Sequence, residues 1–168
     1  MAKLTNEMPL SSPEPLDLSW WGDASTSFGI GVVMGSFWGV WRWAPGTMVG
    51  PKKEFDIGWA EAVAVELGMH MAIHHSLIAS RPLHQNSILV RSDNSGVTTV
   101  INKGRSRSRN TNIILKNIYK LCAEHRVHLV AEHVAGKSNI SDALSRGDVH
   151  TIKKQYGCEG LPKLEGKV

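Results

Sequence analysis

Cysteine is almost absent from this chain. Cys122 and Cys158 share no metal-ligand spacing and offer no disulfide framework, so reduced thiols in an intracellular protein are the expectation. Long apolar runs are missing too. None reaches the ~18 residues that a membrane span needs, and Met1-Ala2-Lys3 leads into polar, proline-bearing sequence rather than the apolar core of a signal peptide. Charge is not strongly of one sign, with a formal net of +4 and a pI near 9.2, and there is no internal repeat. What remains is 168 residues, 42% apolar and 20% charged. That is enough chain for one domain with a substantial core, and not the composition of a disordered one.

Residues 1–15, with Ser12-Pro13 and Glu14-Pro15 steps, read as a flexible lead-in or the scar of a larger polyprotein. From Leu16 the pattern turns to strand. Leu18–Ala24 gives a first strand, and Phe28–Met34 and Phe37–Ala44 form a hairpin across Gly35-Ser36. In the third strand Phe37, Gly39, Trp41 and Trp43 share one face while Trp38, Val40 and Arg42 take the other. A long helix is predicted from Asp56 or Ile57 to about Ser80, where Arg81-Pro82 stops it.

Ser87–Ser92 is a fourth strand, followed by helices over Gly96–Asn102 and Arg109–Arg126, the second with Ile113, Ile114, Ile118, Leu121 and Cys122 inward. Val127–His133 is a fifth strand, and Asn139–Arg146 is a helix closed by Gly147. Residues 148–168 are a basic extension, frayed helix around Thr151–Tyr156 and then tail. Antiparallel-capable strands followed by alternating helix and strand imply an α/β domain over 16–147 with a five-stranded mixed sheet and helices on both faces.

Four carboxylates stand out within this frame. Asp23 and Asp93 each end an apolar strand. Glu61 shares a narrow helical stripe with Ala64, Val65, Gly68 and Ala72, small or apolar residues that let the helix lie close to a sheet. A glutamate on such a face needs a partner or a cation. Asp142 comes near the start of the last helix. If the first and fourth strands are neighbours, all four meet, and such a cluster either holds protons or binds metal. Oxygen-only ligands suit Mg²⁺ or Mn²⁺, and two such ions ~4 Å apart can hold a phosphodiester, activate a water and neutralise the leaving oxygen. Each residue alone has a plainer reading. Asp23 is a plausible turn residue, Asp93-Asn94-Ser95 a plausible helix cap, and Asn139 with Asp142 a plausible helix N-terminus.

As an ordered set the carboxylates are more specific. Trp21-Gly22-Asp23-Ala24-Ser25, Trp59-Ala60-Glu61-Ala62-Val63-Ala64-Val65, Arg91-Ser92-Asp93-Asn94, and the closing run His133 to Arg146 with its Asn139-x-x-Asp142-Ala143-x-Ser145-Arg146 pattern resemble the ribonuclease H domain of retroelement reverse transcriptases. The resemblance covers about Leu16 to Gly147. It implies a ribonuclease H-like fold and cleavage of the RNA strand of an RNA–DNA hybrid to leave a 3′-hydroxyl and a 5′-phosphate. It also implies a polymerase domain as partner and two Mg²⁺ ions, with Mn²⁺ as substitute, held by Asp23, Glu61, Asp93 and Asp142.

The resemblance further places Ser25, Asn94 and Ser95 near the hybrid's minor groove, where a 2′-hydroxyl separates RNA from DNA. Lys137 and Asn139 are expected contacts from the closing loop. Lys103, Arg105, Arg107 and Arg109 fall where family members carry a basic element facing the DNA strand's phosphates. One departure concerns turnover: cellular members keep a histidine in the loop before the last aspartate, and Gly136–Asn139 offers only Lys137. His133 is expected to be structural, and His70, His74 and His75 to lie on a half-exposed helix face, since their helical spacing alone does not make a zinc site. Rival readings are a non-catalytic nucleic-acid-binding or tethering domain of this fold, and a DNA nuclease of the same superfamily.

Overall fold

A computed structural model describes residues 14–78 and 86–150. Five strands form one sheet: β1 (Leu16–Ala24), β2 (Gly29–Met34), β3 (Phe37–Arg42), β4 (Ser87–Ser92) and β5 (His128–His133). Their spatial order is β3-β2-β1-β4-β5. The first three pair antiparallel, and β1–β4 and β4–β5 pair parallel. The mixed sheet expected from the strand pattern is therefore present, with β1 at its centre. Parallel neighbours end at the same edge of a sheet, so the carboxyl ends of β1 and β4 lie side by side.

β1 begins earlier than the pattern suggested, with Leu16 and Asp17 paired to Ile88 and Leu89, and an irregularity between Asp17 and Trp21 shifts its register on β4. Ser19 turns there with φ +53°, and its N–H is held by Asp17 Oδ1 at 2.8 Å. The two faces of β3 divide as predicted. Trp41 and Trp43 enter the main core, while Trp38 and Val40 join a smaller cluster on the other side.

Helices cover both faces. α1 (Ile57–His74), α2 (Ser95–Lys103) and α3 (Arg109–His125) enclose the main core. Asp56 starts α1 by accepting the Trp59 N–H at 2.8 Å. The expected extension of α1 toward Ser80 does not occur: the helix stops at His74. Ser76 adopts φ +53°, and the N–H groups of Ser76 and Leu77 turn back to Ile73 O and Ala72 O, closing the last turn before Arg81-Pro82 is reached. Residues 79–85 lie outside the described residues.

The small-residue stripe on α1 has the use anticipated for it. A Cβ on Gly68 would overlap the Trp20 indole, so only glycine lets the helix settle onto that completely buried ring. On α3 one residue is corrected. Ile113 is 54% exposed and Leu115 is buried in its place. At 100° per residue Ile113 points about 140° away from Ile118, the centre of the buried stripe, while Leu115 lies about 60° from it.

The other face carries α4 (Asp142–Ser145), one turn long. It follows a 3₁₀ turn at Gly136–Ser138 rather than starting at Asn139 as predicted. Asn139 Oδ1 instead accepts the Ser141 N–H, a local turn that competes with helix at that point. Leu144, fully buried, packs against Val33, Trp38 and Val40. Gly31 of β2 makes the approach possible, since a Cβ there would overlap Leu144 and stand 2.7 Å from Ser145 N. The frayed helix expected around Thr151–Tyr156 lies outside the described residues.

Candidate active site

The carboxyl ends of β1 and β4 open into a cleft of about 430 Å³ whose lining includes Asp23, Glu61, Asp93 and Asp142. Asp23 is the penultimate residue of β1 and 5% exposed; Glu61 arrives from the first turn and a half of α1 and is 4% exposed. Asp93, half-buried, follows directly on β4. One carboxylate oxygen from each of these three lies within 4.8 Å of the others. That convergence was expected from strand ends and helix stripe, and topology provides it.

The polar surroundings hold the three in different ways. Glu61 Oε1 accepts the Ala24 N–H at 3.3 Å, whereas buried Glu61 Oε2 meets no hydrogen-bond donor among the described residues. Asp23 Oδ2 accepts from the Ser145 hydroxyl at 2.5 Å. Asp93 is steadied through its backbone, its carbonyl meeting His133 Nε2 at 3.1 Å. His133 thus has the structural role expected of it. Gly136 approaches so closely that a Cβ there would be 3.3 Å from Asp93 Oδ2.

The electrostatics follow from this crowding. Burial, reinforced by the charges of Asp23 and Asp93, pushes the Glu61 carboxyl up to about 9. Burial pushes Asp23 up to about 6; the Ser145 hydrogen bond pulls the other way, and Asp93 and Asp142 add to the rise. Two acids that resist ionisation beside a third are what a missing positive charge produces. A buried carboxylate oxygen without a donor, in an all-oxygen set, fits a hard divalent cation and gives a soft-ligand metal no foothold.

Asp142 sits differently. It lines the same cleft, but its side chain is 48% exposed and its Oδ1 pairs with Arg146 Nε at 3.3 Å. It is the outer member of the quartet rather than part of the close trio.

The other predicted residues scatter. Ser25 lines the cleft, but its hydroxyl accepts the N–H groups of Phe28 and Gly29, both at 3.1 Å, and donates to Ser145 O. Asn94 also lines it, while its Oδ1 caps α2 by accepting the Val97 N–H at 2.9 Å, as the capping reading anticipated. Ser95 and Lys137 are exposed and lie outside the cleft lining, as do Lys103, Arg105, Arg107 and Arg109, which are exposed along the α2–α3 connection.

Asn139, expected at the nucleic acid, is 5% exposed, and its amide donates to Gly22 O at 3.0 Å. His70 and His74 are exposed, and among the described residues no candidate metal group includes a histidine. Sequence reasoning overlooked Ser145, which touches Asp23, and Thr26, Ser27 and Arg146, which line the cleft. Ser145 and Arg146 stood inside the closing pattern; nothing in the residues around Thr26 and Ser27 marks them.

No protein-family model and no curated protein matches the sequence. Solved structures do resemble the fold. The ribonuclease H1 of the halophilic archaeon Halobacterium salinarum NRC-1 aligns over 79% of this chain and 95% of its own, at 15% identity and a TM-score of 0.50. The N-terminal RNase H domain of Rv2228c from Mycobacterium tuberculosis, solved as a fusion with maltose-binding protein, aligns over 81% and 94%, at 16% identity and 0.50. LC11-RNase H1, isolated from compost by a metagenomic approach, aligns over 79% and 93%, also at 16% identity and 0.50. At these identities the likeness is one of architecture, and the architecture is the ribonuclease H-like fold.

Proposed function

We propose that this chain is a metal-dependent endonuclease that cuts the RNA strand of RNA–DNA hybrids. The observation that carries the reading is the trio Asp23, Glu61 and Asp93, with oxygens within 4.8 Å of one another at the carboxyl edge of a ribonuclease H-like sheet, and with Glu61 Oε2 buried and without a donor among the described residues. Three solved structures that share the fold carry ribonuclease H names.

The carboxylates of Asp23, Glu61 and Asp93, with Asp142 from the cleft's outer edge, would hold the cation. Bound there, Mg²⁺, or Mn²⁺ in its place, would supply Lewis-acid charge at the phosphodiester, two ions serving the attacking and leaving oxygens. The chain's own groups would do the remainder. Asn94 and Ser95 would face the minor groove at the start of α2, with Ser25 beside them at the end of β1. Lys103, Arg105, Arg107 and Arg109 would meet phosphates of the DNA strand along the exposed α2–α3 connection, and Lys137 would meet them from the turn before α4. Asn139 would act at one remove, as an anchor of that turn on β1. The finer assignment, the ribonuclease H domain of a retroelement reverse transcriptase working beside a polymerase domain, is supported by the Asn139–Arg146 pattern.

The test is incubation with end-labelled RNA–DNA hybrid, all-DNA duplex and all-RNA duplex, each with and without Mg²⁺. Cleavage confined to the RNA strand of the hybrid and dependent on Mg²⁺ is expected, with 3′-hydroxyl and 5′-phosphate ends. Cutting of the all-DNA duplex would assign a DNA nuclease instead. Hybrid retention with no cutting in either Mg²⁺ or Mn²⁺ would leave a binding domain.

A further inference from the structure

A one-turn helix cannot hold its own place, because its internal hydrogen bonds are too few to offset the cost of starting it. α4 is such a helix, and it carries Asp142. What fixes it is a set of polar side chains gathered on the carboxyl end of β1. Asn139 Nδ2 donates to Gly22 O at 3.0 Å, and Asn139 Oδ1 receives the Ser141 N–H at 3.1 Å and the Ser141 hydroxyl at 2.6 Å. Ser25 donates its hydroxyl to Ser145 O. Ser141 and Ser145 are fully buried.

Ser145 is the member of this set that reaches the carboxylates. Its Oγ lies 2.5 Å from Asp23 Oδ2 and 2.9 Å from the Asp142 backbone carbonyl. A serine hydroxyl has one hydrogen to give. The acidic oxygen is both nearer and, when ionised, the stronger acceptor, so the bond to Asp23 is the one that forms. One side chain therefore grips a carboxylate of the close trio and belongs to the turn that bears the outer member.

We propose that Ser145 is a positioning residue for the candidate metal centre. Its hydroxyl fixes the rotation of the Asp23 carboxylate and registers α4, and with it Asp142, against the Asp23–Glu61–Asp93 trio; Asn139 anchors that turn to β1. This rests on the metal-dependent reading above.

Ser141→Ala supplies a matched comparison: the same substitution, in the same turn, at a site equally buried but without contact to a carboxylate. Mn²⁺ is titrated calorimetrically into the chain without nucleic acid, and each variant is melted without metal. Ser145→Ala is expected to weaken Mn²⁺ binding ~10-fold, as loss of a group that orients a metal ligand does. Ser141→Ala loosens the same turn through Asn139 but keeps the grip on Asp23, so its weakening is expected to be clearly smaller, about twofold, while the two melting temperatures should fall alike.

Equal Mn²⁺ affinity in Ser145→Ala and parent, or equal weakening in both variants, overturns the positioning role and leaves Ser145 as packing. Absence of Mn²⁺ uptake by the parent itself overturns the metal-dependent reading, and the positioning role falls with it. Should Ser145→Ala not fold, Ser145→Cys keeps the volume while replacing a strong donor by a weak one, and the same outcomes apply.

Discussion

β1 carries an aspartate near each end, and the two ends are opposites. At the amino end Asp17 faces Arg91 of β4 in a two-pronged pair, Nη1–Oδ1 at 2.8 Å and Nη2–Oδ2 at 2.5 Å. The Arg91 hydrogen bonds hold the Asp17 carboxyl below its ordinary value. At the carboxyl end Asp23 meets Glu61 and Asp93, and both buried acids are pushed upward, to about 6 and about 9. One end of the strand pair is electrically complete. The other has gathered negative groups and, among the described residues, no balancing cation stands beside the trio; Arg146, which lines the cleft, pairs with the outer Asp142. Stability alone gives no reason for that difference, whereas a site waiting for a divalent ion does.

The contrast can be broken at either end. The largest effects belong to the carboxyl end. Asp23→Asn, Glu61→Gln or Asp93→Asn should each lower hybrid cleavage by more than ~100-fold, since losing a ligand outweighs the 10–100-fold typical of losing a ligand's supporting contact. Each variant should remain folded, with metal-free melting at pH 8 unchanged or higher. A variant that cuts at the parent's rate has no place in the site.

Next comes the platform beneath α4. Gly31→Ala forces a methyl group into Leu144 and the α4 backbone and should cost ~1–3 kcal/mol in urea denaturation. Cleavage should fall with it, because Asp142 and Ser145 ride on the displaced turn. Full activity at reduced stability would separate α4 from the chemistry.

A pH series separates the ends by sign. Asp23 and Glu61 bind protons more tightly folded than unfolded. Their contribution is thus fully present below pH ~4, where the unfolded chain is protonated as well, and is lost as pH climbs through about 6 and about 9. Metal-free stability should drop by roughly 4–6 kcal/mol between pH 4.5 and 8, and saturating Mn²⁺ should flatten the curve by replacing the protons. Asp17, whose value is lowered, acts with the opposite sign, its contribution being lost only as pH falls below ~4. A metal-free curve that rises across that window would mean that Asp23 and Glu61 do not hold their protons in the folded chain.

The smallest effect belongs to the amino end. Asp17→Asn removes a pair whose acid side chain is 48% exposed, so it should cost only ~0.5 kcal/mol after solvent screening. Cleavage and Mn²⁺ uptake should be unaffected.

Much of this was legible in the residues. Glu61 among Ala64, Val65, Gly68 and Ala72 announced a buried acid on a helix pressed to a sheet, because side-chain direction along a helix follows from spacing alone. Strands ending at Asp23 and Asp93 were equally readable. Other features were not. The end of α1 depended on Ser76 taking a left-handed conformation, which no residue type there demands. Ile113 was a misreading rather than a hidden feature, since its spacing from Ile118 already points it outward and Leu115 inward. Asn139 carried a local signal for a cap and a resemblance-based one for nucleic acid, yet the Gly22 carbonyl, 117 residues away along the chain, claimed its amide.

The residues by themselves determined which carboxylates are buried candidates and where each stands on its own strand or helix. Only the tertiary structure decided that Asp23, Glu61 and Asp93 form a close trio with Asp142 at its edge, and that Ser145 grips Asp23. The reason is physical: periodicity fixes the direction of a side chain relative to its own backbone, whereas the distance between two side chains far apart in sequence depends on how strands pair and how closely glycines such as Gly31 and Gly68 let helices approach.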